Sequence, residues 1–141
     1  MRVEFTLVSH DPTMHHIGAV AERTGLSLRT LRHYDEVGLL RPSARSEGGF
    51  RLYTESDVER LLLIRRMKPL GFSLEEMADL LRVADELGAE GAGRDGVGAD
   101  DGHPGARGRL AAYVAAAEER RADLARKLEM ADELIALLHR L

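Results

Sequence analysis

The chain has 141 residues, enough for one compact domain with an appendage and too few for two full cores. Hydrophobic residues make up 44% but aromatics only 4%, so the core must be built of Leu, Val, Ile and Met, and the absence of cysteine excludes disulfides, thiolate metal sites, cysteine-ligated iron–sulfur clusters and thiol switches. A net charge of −4 argues by itself against a nucleic-acid partner, yet residues 17–53 carry six Arg against four acids, so the basic excess is gathered in one segment.

Residues 1–13 precede the first helical pattern. Glu4-Phe5-Thr6-Leu7-Val8 can form a short strand that His10-Asp11-Pro12 breaks. This stretch is either a disordered arm or precedes a true start at Met14. The N-terminus lacks the apolar core of a secretion signal, and no apolar run approaches the ~20 residues of a membrane span. A cytoplasmic location and no membrane partner are therefore expected.

A short helix is predicted over 17–24, with Ile17, Val20 and Ala21 on one face. Gly25-Leu26-Ser27 breaks it, and Ser27 is a good N-cap for a second helix over 28–37. Leu28 and Leu31 face inward there, while Arg29, Arg32 and His33 face outward. A short helix, a Gly-containing turn and a second helix make a helix-turn-helix. Gly38 ends the second helix. Gly48-Gly49 followed by Phe50-Arg51-Leu52-Tyr53 suits a two-stranded ribbon, or wing. Thr54 and Asp57 cap a third helix over 56–70, with Val58, Leu61, Leu62, Ile64 and Leu70 mostly helix-spaced. Gly71-Phe72 turns the chain, and Ser73 caps a fourth helix over 74–87 with Leu74, Met77, Ala78 and Leu81 as its buried stripe.

Residues 88–108 hold eight Gly, one Pro and no large apolar residue except Val97, the composition of a flexible linker. Beyond it, Leu110, Val114, Ala117, Arg121, Leu124, Leu128, Ala131, Ile135 and Leu138 alternate spacings of 4 and 3 without a slip. That is a heptad seam on a helix over 109–141, roughly 50 Å long. Such a helix has no partner within the chain and is expected to pair with its copy in a homodimer. Arg121 on the seam either marks the edge of the packed region or sets the register.

The run Leu28-Arg29-Thr30-Leu31-Arg32-His33-Tyr34-Asp35 presents long polar donors from the first turns of a helix, as base edges and phosphates require. By itself such a run is more often an exposed charged face. The wing and the dimer helix tip the balance towards DNA. Arg45 and Arg51 flank the Gly-Gly turn and suit phosphate contact, whereas Tyr53 fits a phosphate donor or a core edge equally well. Adjacent His15 and His16 cannot share a helix face, and Asp100, Asp101 and His103 lack anything that fixes a metal geometry. Both groups read as solvated loop residues, so no metal or cofactor is expected. No nucleophile–base pair or Walker loop stands out, and Gly91, Gly93 and Gly96 lack the preceding strand of a dinucleotide fingerprint, so an enzyme is not expected.

Ile17-Gly18-Ala19-Val20-Ala21, Thr24-Gly25-Leu26-Ser27, Thr30-Leu31-Arg32-His33-Tyr34-Asp35 and Gly38-Leu39-Leu40 together resemble the head of the MerR (mercuric-resistance-regulator) family. Phe50-Arg51-Leu52-Tyr53 and Leu70-Gly71-Phe72-Ser73-Leu74-Glu75-Glu76-Met77 continue the likeness in unbroken order over about residues 15–82. The resemblance implies a mainly α fold. It implies a winged helix-turn-helix head with a small hairpin wing, expected over 14–87, and a long C-terminal helix, expected over 109–141, that dimerises as an antiparallel coiled coil. It implies a transcription regulator that binds a pseudo-palindromic promoter operator and distorts its spacer so that RNA polymerase reads both elements. Bending of that kind costs roughly 1–6 kcal/mol. The matching DNA-binding positions are Ser27, Arg29, Thr30, Arg32, His33, Tyr34, Arg45, Arg51 and Tyr53. The dimer positions, read from the heptad spacing, are Leu110, Val114, Ala117, Leu124, Leu128, Ala131, Ile135 and Leu138. Soft-metal inducers are excluded by the missing cysteines, no separate drug-binding domain is expected, and the 88–108 linker weakens any rigid route from coil to head. An effector-independent repressor or architectural factor therefore stays open, as does a protein–protein adaptor.

Overall fold

The computed structural model describes residues 14–91 and 105–141. The arm expected over 1–13 and the centre of the expected linker lie outside them. In chain order the elements are β1 (His15–His16), α1 (Ile17–Thr24), α2 (Leu28–Glu36), β2 (Ala44–Arg45), β3 (Arg51–Tyr53), α3 (Glu55–Met67), a 3-10 turn (Lys68–Leu70), α4 (Leu74–Gly91) and α5 (Ala106–His139). The chain divides into two compact units, one up to Met77 and one from Ala78.

In the first unit, α1 packs on α2 and α3, and a three-stranded antiparallel sheet lies beside them. Its order is β1-β3-β2, with His15 opposite Tyr53 and Arg45 opposite Arg51. The sequence suggested only a two-stranded wing. The added strand β1 is a pair of histidines with neither alternation nor β-branching, so nothing in its composition announces a strand. Its pairing with β3 supplies the ladder.

The helices start where the chemistry of their caps dictates. Ser27 Oγ accepts from the Thr30 amide at 3.0 Å. Thr54 and Asp57 form a reciprocal capping box, with both side-chain–backbone bonds at 3.0 Å. Ser73 and Glu76 repeat the arrangement at 3.0 and 2.9 Å. Between α1 and α2, Gly25 adopts φ 74° and its amide reaches back to the Ala21 carbonyl at 2.9 Å. Only glycine takes that left-handed C-cap without strain, which fixes the turn of the helix-turn-helix. Thr24, fully buried, ties the same turn by donating to the Val20 carbonyl and accepting from the Leu26 amide.

The core of this unit is aliphatic, as composition requires: Val20, Leu31, Leu39, Leu40, Val58, Leu61, Ile64, Met67, Phe72 and Met77 are buried, together with Tyr34 and Tyr53. Leu28 and Leu74, expected to face inward, are 39% and 40% exposed. Each is the first residue of its helix, where no preceding turn covers it. In α4 the buried positions are Met77, Leu81 and Val83, while Ala78 is only half-buried.

In the second unit, α4 runs on to Gly91 and α5 begins at Ala106, so both helices reach into the segment read as linker. Glycine costs a helix only about 1 kcal/mol, and the neighbouring ordered turns override it. The start of α5 is held on α4. Arg109 donates to Asp79 Oδ1 at 3.1 Å and to Glu86 Oε1 at 3.2 Å, and the Tyr113 hydroxyl donates to Asp79 Oδ2 at 2.8 Å. Those bonds, that from Tyr113 foremost and then those from Arg109, hold the Asp79 carboxyl below its usual range. No helix among the described residues is long and apolar enough to cross a membrane.

Candidate nucleic-acid interface

Helix α2 has two unlike faces. Leu31, Tyr34 and Asp35 are buried, and Arg29, Arg32, His33 and Glu36 stand exposed around one shallow depression. Arg29 and Arg32 have no ion-pair partner among the described residues, so their guanidinium donors are available to an outside acceptor. Ser27 is exposed at the head of the helix, its hydroxyl donating to Thr30 Oγ1 at 2.9 Å while its oxygen caps the Thr30 amide. The first turn of α2 therefore offers a polar rim in front of two uncommitted arginines.

The wing is made by β2, β3 and a tight turn between them. The Gly49 amide donates to the Ser46 carbonyl and the Ser46 amide to the Phe50 carbonyl, both at 2.8 Å. Gly49 sits at φ 86°, which a side chain would strain. Phe50 projects from the tip, two-thirds exposed. Arg45 and Arg51 are not loose phosphate arms. Arg51 Nε donates to Asp35 Oδ2 at 2.8 Å, and Arg45 Nη2 donates to the same oxygen at 3.2 Å. Arg45 Nη1 also donates to the Gly49 carbonyl at 3.2 Å. The Asp35 bond pushes the Arg51 guanidinium above its ordinary range.

Tyr34 and Tyr53, placed at the interface by the resemblance, lie in the core instead, 2% and 0% exposed. Their hydroxyls are buried without a hydrogen-bond partner among the described residues, and burial pushes both phenols up. Tyr53 alternates inward along β3, so its ring fills the sheet face and the chain itself covers its oxygen. Tyr53→Phe is accordingly expected to leave DNA affinity unchanged and to keep or raise stability by up to about 1 kcal/mol, since an unpaired buried hydroxyl is removed. Urea denaturation and a binding titration on the same variant check both halves.

A cluster that sequence reading missed lies at the base of the head. Arg23 of α1 grips Glu55 of α3 through two bonds, Nη1–Oε1 at 2.8 Å and Nη2–Oε2 at 2.6 Å, and His15 Nε2 adds a third contact to Oε1 at 3.0 Å. Nothing in the spacing of residues 15, 23 and 55 signals it, because Arg23 and Glu55 meet only once α1 packs on α3, and His15 reaches them from β1. The Arg23 and then the His15 contact pull the Glu55 carboxyl from 4.5 to about 2. A depressed carboxyl stabilises the fold above its unfolded pKa and loses that contribution as pH falls through the folded value. For so exposed a pair solvent screening keeps the contribution small. Glu55→Gln is therefore expected to lower the urea midpoint at pH 6, with the gap to the parent closing as pH falls from 4.5 towards 2. An unchanging gap would dismiss the assignment.

Helix α5 carries the residues expected to dimerise. In the single chain Leu110, Val114, Leu124, Leu128, Ile135 and Leu138 are 36–64% exposed, Ala131 is exposed and Ala117 half-buried. Met130, Leu134 and Leu137 add to the apolar surface of its second half.

Short helix, left-handed glycine turn, exposed arginine helix and adjoining hairpin define a winged helix-turn-helix head, followed in the chain by the long helix α5. Residues 16–83 match the model of the MerR HTH family regulatory proteins. The regulator ZntR of Escherichia coli strain K12 is 44% identical over 70 residues, half of this chain and half of that protein. The crystal structure of MtaN, the N-terminus of the Bacillus subtilis multidrug transporter activator, superposes with a TM-score of 0.52 at 32% identity, covering 89% of this chain and 95% of that one. HiNmlR, described as a MerR family regulator lacking the sensor domain and bound to promoter DNA, superposes with a TM-score of 0.62 at 25% identity, over 90% of this chain and 91% of that one. The chain belongs to the MerR family. It spans about half or less of the length of the curated relatives it matches first.

Proposed function

We propose that the protein is a sequence-specific DNA-binding transcription regulator. It acts as a homodimer on a pseudo-palindromic promoter operator and distorts the spacer between promoter elements for RNA polymerase. The observation that carries this reading is the exposed face of α2, where Arg29 and Arg32 stand uncommitted beside a wing bound to the same helix. Arginine donors on the first turns of a helix suit guanine edges and phosphates, and a pair of heads at fixed separation reads two half-sites. The promoter-bound relative supports the same use of this fold.

Selection from a random duplex pool tests it. The chain is expected to enrich an inverted repeat and to retard that duplex, with retardation lost as salt rises because phosphate contacts release counterions. Enrichment of no sequence, with a stable protein complex recovered instead, would favour an adaptor.

A further inference from the structure

We propose that Asp35 is a positioning residue for DNA recognition, one that sets both wing arginines against α2 and thereby governs discrimination between sequences more than affinity for DNA as such. The inference rests on the DNA-binding reading above. Arg45 and Arg51 are direct partners across the β2–β3 ladder, so two like charges project from one face. Cross-strand like charges drive a ribbon apart. The Asp35 carboxylate, buried on the inner side of α2, receives both on a single oxygen.

Three consequences follow from that geometry. The wing and the recognition helix become one rigid piece, because the acceptor belongs to the helix and the donors to the two strands. The guanidinium groups meet DNA already oriented, so a site whose phosphates lie where the wing is fixed incurs no ordering cost. And the two cations are partly neutralised, so a duplex offering only generic phosphates gains less from them. Arg45, half-exposed and held at 3.2 Å, is the arm that a phosphate draws away most readily, while Arg51 at 2.8 Å stays with the helix.

The test uses the full chain, the duplex it selects from a random pool, and a scrambled duplex of the same composition. Binding to both is followed over a salt series for the parent, Asp35→Asn and Glu59→Gln. Glu59 is exposed on α3, and its substitution makes the same charge change. For Asp35→Asn the ratio of selected to scrambled affinity is expected to fall about tenfold or more, while scrambled binding rises about two- to fivefold and the salt slope steepens by about one to two. Glu59→Gln is expected to keep the ratio within about twofold. A merely structural staple would weaken both duplexes together, so an Asp35→Asn ratio within about twofold of the parent overturns the proposal. Should Asp35→Asn not fold, Asp35→Glu keeps the charge and displaces the acceptor. A lowered ratio at unchanged salt slope then supports the proposal, and an unchanged ratio overturns it. A parent chain that enriches no sequence sinks the DNA-binding reading and this inference with it, a failure distinct from one in which only the variant keeps its ratio.

Discussion

Replacing Leu128 and Ile135 with Glu is expected to turn the protein into a monomer and to cost about 100-fold or more in operator affinity. Both side chains stand more than half exposed on α5 of the single chain, on the heptad line that a second copy would cover. Burying a Leu or Ile fully contributes about 1.5–3 kcal/mol, and a dimer seam collects that term from both chains. Two carboxylates on each helix reverse its sign and add like-charge repulsion. Operator affinity drops in proportion because two joined heads bind a duplex at the high local concentration that linkage provides, whereas a lone head holds one half-site. Sedimentation gives the assembly state and a binding titration the affinity. A variant that remains dimeric with parental affinity would place the interface elsewhere.

Arg32→Ala is expected to weaken specific binding by about 1–3 kcal/mol and to relax the preference for one base position in each half-site. The size follows from what the side chain does in the unbound protein. Arg23, Arg45, Arg51 and Arg109 are already held by carboxylates, so truncating any of them disturbs the fold as well as the surface. Arg32 is held by no carboxylate among the described residues. Its loss should leave the melting temperature unchanged and fall wholly on DNA. Parental affinity in a folded variant would remove α2 from the role of recognition helix.

Much of the head was legible because local chemistry and periodicity agreed. Ser27, Thr54 and Ser73 announced three helix starts, Gly25 announced the turn, and the three-residue spacing of Val58, Leu61 and Ile64 gave a buried stripe. What escaped depends on partners distant in the chain. β1 exists only because β3 pairs with it, and the Arg23–Glu55 pair forms only once α1 packs on α3, with His15 joining it from β1. The tyrosines lie inward for a related reason, Tyr53 in the core position that the sequence had left open beside the phosphate one. A motif ties Tyr34 and Tyr53 to the interface by position, but which way a ring points is decided by the sheet and helix packed on it. The arginines of the wing were found, yet their shared acceptor was not, since Asp35 reads in sequence as one more charge on a polar helix. The long terminal helix was plain from spacing alone, whereas its start and the end of α4 were not, because glycine frequency outweighed their continuing turns.

The clasp of Asp79 and Glu86 on Arg109 and Tyr113 also bears on how the protein tolerates change. Because side chains anchor the first turns of α5 directly to α4, the covalent connection between Gly91 and Ala106 is relieved of the task of aiming the long helix. Loop closure grows only logarithmically with length, about 0.6 kcal/mol for each doubling. Insertions, deletions or a grafted tag in that connection are therefore expected to leave the direction of α5 to the clasp.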